Sequence, residues 1–340
     1  MMKMRKRDGL SLSALFFSLF FCGASGLYIY DVRNLSSLAL YILVSLVISL
    51  VATLGAGKQS GNIRLYFENG IGKGTASFFC GLLCALTAAS LACDALALCL
   101  RISDVYGGYE SAVLIIIAFV CLWAAVSGAG AVSGGAQICI IIAAVLAPAA
   151  LLSEPSLMDT HAMDTHADAY GALRALGGMG AVFCLISHTY CGGDPDITEA
   201  FGARSKVPEN RALSVLAVSG GAFLLAGVFH AAVCGARYSD GMKIFFIFAQ
   251  WLFSFVRLGA YAFTLRDCAE TQRSAATKTA VYAVLWLACS AALAALASGG
   301  YAEGLLLEIS AVIHVFFLAM LAADVLFLSK KSRRGVTKKR

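Results

Sequence analysis

Two charges lie deep within apolar stretches of this 340-residue chain, away from the span ends: Asp94, within the run 75–100, and Arg257, within the run 242–265. Either one, unpaired in hydrocarbon, costs at least about 2.5–3.5 kcal/mol. The economical reading is that they face each other, or face water in one cavity, as a structural pair or as an ion-coupling pair. A second group of polar side chains, Ser187, His188, Thr189 and Tyr190, lies at the end of another apolar run, next to Gly192-Gly193. Imidazole, hydroxyl and phenol groups at that depth can bind a small polar solute or relay a proton. His188 is equally readable as a hydrogen-bonded residue near a membrane interface. A third feature is Cys22-Gly23-Ala24-Ser25-Gly26, in the middle of the first apolar run. Glycine weakens a helix by about 1 kcal/mol relative to alanine. A helix broken there exposes amides and carbonyls that can hold a carboxylate or a cation. The other reading of the same residues is a small-residue packing face that lets helices approach closely.

The chain holds no Walker-type phosphate loop and no hydrolytic or redox constellation, so an enzyme is not expected and no cofactor is assigned. The twelve cysteines are scattered, without CxxC pairs, and read as small apolar packing residues. A tandem repeat, Met158-Asp159-Thr160-His161-Ala162 and Met163-Asp164-Thr165-His166-Ala167, offers metal-ligand types. It sits in a low-complexity loop that enforces no coordination geometry, so it reads as a neutral duplication and no metal is assigned.

The elements that position these groups are apolar runs. Hydrophobic residues make up 60% of the chain and charged residues 14%, with a mean hydropathy of +0.81, which places it outside the soluble globular class. Ten runs reach membrane-spanning length: 10–32, 35–54, 75–100, 111–127, 131–152, 172–191, 212–234, 242–265, 276–297 and 304–328. The Gly-rich boundary between the fourth and fifth leaves nine spans as the competing count. Lys3, Arg5, Lys6 and Arg7 precede the first run, and seven Lys and Arg follow the last. Both termini are therefore expected in the cytoplasm, which requires an even number of spans. Connections assigned inside carry nine basic residues, from Lys58 to Lys278, against Arg33, Arg101, Arg237 and Lys243 outside. The +6 charge is a topology signal rather than a nucleic-acid footprint. The N-terminal basic and apolar stretch reads as an uncleaved first helix. In the connection Gly55–Gly74, Ile63-Arg64-Leu65-Tyr66-Phe67 reads as a short amphipathic helix on the cytoplasmic surface or as part of a flexible loop.

Ten spans divide as five plus five, and because five is odd a second copy of the unit must be inverted. The expected organisation is a basic N-terminus (1–9), a first five-helix repeat (10–152), an extracytoplasmic loop (153–170), a second repeat (171–328) and a basic tail (329–340). Breaks at matching places, in helices 1 and 6, point to a solute site between them. Its candidate residues are Gly23, Ala24, Ser25, Gly26, Ser187, His188, Thr189, Tyr190 and Gly192.

This layout resembles the amino acid–polyamine–organocation transporter superfamily, with its leucine-transporter fold. Within it, the chain is most similar to the endospore germination permeases, the B subunits of nutrient germinant receptors. Cys22-Gly23-Ala24-Ser25-Gly26 stands where that superfamily has its first-helix break. Ala125 to Val132 resembles the Gly-containing start of the fifth helix, Cys191 to Ile197 the sixth-helix break, and Ala200 to Ala212 the basic stretch after it. The resemblance implies an all-α polytopic membrane protein of ten helices. It would be a permease, or a permease-like sensor, for an amino-acid-like solute, with H+ or Na+ as candidate coupling ion. It also implies a cell membrane or spore inner membrane location, and germinant receptor A and C subunits as partners. The alternative is a non-transporting membrane scaffold with a decayed site.

Overall fold

The computed structural model describes residues 10–30, 32, 34–56, 63, 73–106, 110–153, 172, 175–176, 179–191, 209–234 and 243–269. The Gly192-Gly193 break, the tandem-repeat loop, the last two apolar runs and both charged termini lie outside these residues. Every extended element described is an α-helix. In chain order they are α1 (Leu12–Ile29), α2 (Leu35–Ala56), α3 (Lys73–Tyr106), α4 (Glu110–Ser127), α5 (Ala129–Ser153), α6 (Met179–Cys191), α7 (Glu209–Cys234) and α8 (Lys243–Ala269).

Local chemistry fixes several of the ends. The Ser11 side chain accepts the Ala14 amide at 3.1 Å and caps α1. Asn34 Oδ1 accepts the Ser36 amide at 2.7 Å at the start of α2. Gly128, with φ of 76°, is a single-residue turn between α4 and α5, so the Gly-rich boundary joins two separate helices. A side chain at that φ is strained, which accounts for glycine there. The carbonyls of Ala125 and Val126, released at this end of α4, accept Arg266 Nη1 at 3.1 and 3.0 Å, a cation placed on the negative end of a helix. Arg101 does the same for α1, donating from Nε to the Ile29 carbonyl at 3.3 Å.

Among the described residues, four helices are long and apolar enough to cross a membrane: Leu12–Ile29, Leu35–Thr53, Ala76–Ile102 and Leu213–Ala231. Across the described helices the distribution of side chains is inverted relative to a soluble protein. Leu43, Phe78, Phe119, Ile141, Leu213 and Val228 are exposed, whereas Ser25, Asp94, Ser254, Arg257 and Thr264 are buried. Apolar atoms outside and hydrogen-bonded polar atoms inside suit a bilayer as the surrounding solvent.

Helix directions follow from which residues meet. Against α8, α5 pairs Val132 with Gly259, Gly135 with Val256 and Cys139 with Leu252, an antiparallel register. The α3 helix is also antiparallel to α8, with Asp94 at Arg257 and the Cys84 thiol hydrogen-bonded to the Cys268 thiol. By contrast α6 runs with α8: its approach meets Arg257 at Ala175, and its end meets Asp267 at His188. Leu46 packs on Gly220 and Ile42 on Gly227, so α2 and α7 are antiparallel. α8 is the central element, with α1, α3, α4, α5 and α6 packed around it.

One expectation is corrected here. α1 is continuous through Gly23–Gly26, with all four of these residues buried, so the first-helix break is not formed. Ile63 is helical and fully buried at the end of α8, where its amide donates to Asp267 Oδ2 at 3.0 Å. The remaining residues of that connection lie outside the described set.

Candidate functional site

The centre of the bundle is a charged network built on α8. Arg257 Nε donates to Asp94 Oδ2 at 2.6 Å, and both side chains are essentially inaccessible. The Tyr261 hydroxyl, one turn further along α8, donates to the same oxygen at 2.6 Å. The Tyr30 hydroxyl, just past α1, donates to Oδ1 at 2.5 Å. The carboxylate thus accepts three hydrogen bonds on two oxygens, and the Tyr261 ring lies 5.7 Å from the guanidinium carbon. Such satisfaction is what offsets the desolvation of a buried pair.

Arg257 spends its Nη1 donors on backbone. Nη1 donates to the Cys22 carbonyl at 3.2 Å and to the Ala175 carbonyl at 3.0 Å. Nη2, also buried, has no hydrogen-bond partner among the described residues. Its two N–H groups are donors in a place without bulk water, where an unmet donor costs about 1–3 kcal/mol or more.

The glycines of α1 form the floor beneath this guanidinium. A Cβ at Gly26 would overlap Arg257 Nη1 and sit 2.9 Å from the Ala175 carbonyl oxygen. A Cβ at Gly23 would meet the Tyr41 hydroxyl oxygen at 3.2 Å. Gly23 and Gly26 therefore serve close approach rather than a helix break. Between them Ala24 packs in the core, and Ser25 donates to Ser254 Oγ at 3.0 Å, whose own hydroxyl donates to the Gln250 carbonyl.

Tyr41 opens a line of hydroxyls along α2. Tyr41, Ser45, Ser49 and Thr53 recur every four residues and all are buried; Tyr41 and Ser45 neighbour one another, and the Ser49 and Thr53 oxygens have no hydrogen-bond partner among the described residues. At 1.5 Å per residue the line covers ~18 Å. It begins beside Gly23 and proceeds away from Arg257 toward the end of the bundle that holds Asp267.

The residues of α6 occupy that end. His188 Nε2 lies 3.1 Å from Asp267 Oδ1, with its ring edge-on to Phe263 at 4.8 Å. Cys184 Sγ lies 3.6 Å from Asp267 Oδ2. Thr189 donates to the Leu185 carbonyl at 2.9 Å and so spends its hydroxyl on its own helix. The side chains of Ser187 and Tyr190, and all of Gly192, are outside the described residues. Ten residues of α8, ~15 Å, separate Asp267 from Arg257. The structure accordingly brings Gly23, Gly26, Asp94 and Arg257 together and holds His188 and Thr189 at a different level.

Tyr30, Tyr41, Tyr261, Cys184 and Asp267 were not singled out by the sequence. Tyr261 follows Arg257 by one helical turn, and Cys184 precedes His188 by one, spacings that put each pair on one face. Asp267 lies two residues past the apolar run, where it reads as part of a loop.

No protein-family model matches the chain, and no curated protein sequence is significantly similar to it.

Proposed function

We propose that the chain is a membrane permease, or a permease-like nutrient sensor, which holds an amino-acid-like solute by its carboxylate at Arg257. One observation carries the reading: Arg257 Nη2 is a buried cationic donor with no partner among the described residues, while the rest of the guanidinium is fixed by Asp94, Cys22 and Ala175. A fixed cation with spare donors suits a carboxylate. The Tyr41 hydroxyl, on the same glycine face of α1, is a second donor for it. The hydroxyl line from Tyr41 to Thr53 then offers successive partners to a polar solute passing toward the cytoplasm. In this reading Asp94 orients the arginine and is the candidate group for coupling to H+ or Na+.

The five-plus-five inverted repeat draws support from α2 against α7 and α3 against α8, each antiparallel to its counterpart five helices on. A leucine-transporter-like arrangement of ten helices, membership of the amino acid–polyamine–organocation superfamily, germinant receptor A and C subunits as partners and a spore inner membrane location belong to the same proposal. The continuous, fully packed α1 favours a second reading, a non-transporting membrane scaffold that keeps the charge network as a clasp.

Thermal unfolding of the purified protein against a panel of amino acids separates the two, since a ligand that binds the native state raises its apparent stability. The permease reading expects at least one amino acid to stabilise the wild type, and to do so less in Tyr41→Phe. A panel without effect leaves the scaffold.

A further inference from the structure

The end of the α6–α8 pair carries a donor set that the transport reading does not use. Cys184 and His188 are four residues apart on α6 and present their ligand atoms on one side. Asp267, in the last turn of α8, faces both. The Cys184 thiol, a His188 ring nitrogen and an Asp267 carboxylate oxygen all lie within 4.8 Å of one another, with His188 3.1 Å from Oδ1 and Cys184 3.6 Å from Oδ2. In a tetrahedral site with metal–ligand bonds of about 2.0–2.3 Å, ligand atoms stand roughly 3.3–3.8 Å apart. The carboxylate already stands near that spacing from each of the other two donors, through one oxygen apiece, and closing the set on an ion takes a shift of about an ångström.

We propose that Cys184, His188 and Asp267 form a three-ligand site for a divalent transition metal of the zinc class. The donor chemistry selects the ion. A thiolate excludes Mg2+ and Ca2+, which take oxygen ligands, and the imidazole and carboxylate suit Zn2+ or Co2+ better than Cu+. The surroundings hold the ligands in position. The Ile63 amide fixes Asp267 through Oδ2, as outer-shell hydrogen bonds do for metal carboxylates, and leaves Oδ1 toward His188. The Phe263 ring packs edge-on against the imidazole. Cys184 and Asp267 are deep, whereas the His188 side chain is 17% exposed and gives an ion and a fourth ligand their approach. Because the ligands come from two helices and the carboxylate also holds the Ile63 segment, an ion there clamps α6, α8 and the α2–α3 connection at one point. Binding releases the thiol proton to solvent and involves no change of oxidation state.

The test is a Co2+ titration of the full-length protein, purified in detergent and stripped with chelator. A thiolate-to-cobalt charge-transfer band should appear together with the intense visible bands of four-coordinate Co2+, and Zn2+ should remove both. Cys184→Ser should abolish the charge-transfer band, and His188→Gln should weaken Co2+ binding roughly tenfold or more. A wild type without the band overturns the proposal, as does a band unchanged in Cys184→Ser. Should Cys184→Ser not yield folded protein, His188→Gln decides, and unaltered Co2+ affinity in that variant overturns the site. The readout is independent of amino acids, so the solute reading can fail while this one stands.

Discussion

Gly26 of α1 and Arg257 of α8 are so close that a methyl group on the glycine would occupy the position of the guanidinium Nη1. Gly26→Ala therefore forces either α1 away from α8 or the arginine away from Asp94. The expected loss is about 1–3 kcal/mol for overpacking, with Gly26→Leu failing to accumulate as folded protein. Thermal unfolding and monodispersity in detergent report both outcomes. A Gly26→Leu protein as stable as wild type would show that this contact does not form.

Removing one partner of the buried pair should cost more than removing both. Asp94→Asn and Arg257→Gln are each expected to lose about 3–5 kcal/mol, since each leaves an uncompensated buried group. The double variant should lose clearly less than the sum. Simple additivity of the two losses, measured by thermal unfolding, would mean that the residues are not coupled.

Tyr30→Phe and Tyr261→Phe each delete one hydroxyl donated to Asp94. Bonds to charged groups are worth about 1.5–3 kcal/mol, so both variants should be measurably destabilised. Their effects should vanish in an Asp94→Leu background, where the acceptor is gone. A loss that persists there assigns the tyrosines to ring packing alone.

The turn between α4 and α5 gives a prediction about backbone. Gly128→Ala places a side chain at a φ of 76° and should cost about 1–2 kcal/mol. Gly130→Ala, with open space around its α carbon and an ordinary helical φ, should be neutral or slightly stabilising. Equal effects from the two would remove the special role of Gly128.

Loop charges make a topological prediction. Reporter fusions should put both termini and the 198–211 connection on the cytoplasmic side and the 153–170 loop on the other. A reporter at residue 340 found outside would remove the even span count and the inverted repeat with it.

What the sequence made legible follows from how specific each physical demand is. An Asp and an Arg deep within apolar runs are conspicuous because each needs a partner, and the fold joins Asp94 to Arg257. Tyr30 and Tyr261 are not conspicuous, since a tyrosine in a membrane segment is unremarked until something accepts its proton. The glycines of α1 were ambiguous in principle. Gly23 and Gly26 satisfy a helix break and a close approach equally well, and the deciding group, Arg257, lies more than 230 residues away in the chain. Asp267 was hidden by the rule that found the spans: the apolar window ends before the adjacent charges Arg266 and Asp267, whereas α8 continues to Ala269 and buries that carboxylate against Ile63 and Cys184.

The 163 residues between Asp94 and Arg257 also order events during synthesis. At ribosomal speeds of about 5–20 residues per second, α3 emerges roughly 8–30 s before the arginine that will meet its carboxylate. Through that interval a nascent chain must harbour an acidic group without its counterion, with Tyr30 already made and able to donate to it. α8 is therefore the keystone of assembly: the earlier helices can enter the bilayer singly, but they lock around a common axis only once it arrives. Chains truncated before residue 257 should consequently be held by the insertion machinery or handed to quality control, and chains extending past Ala269 released.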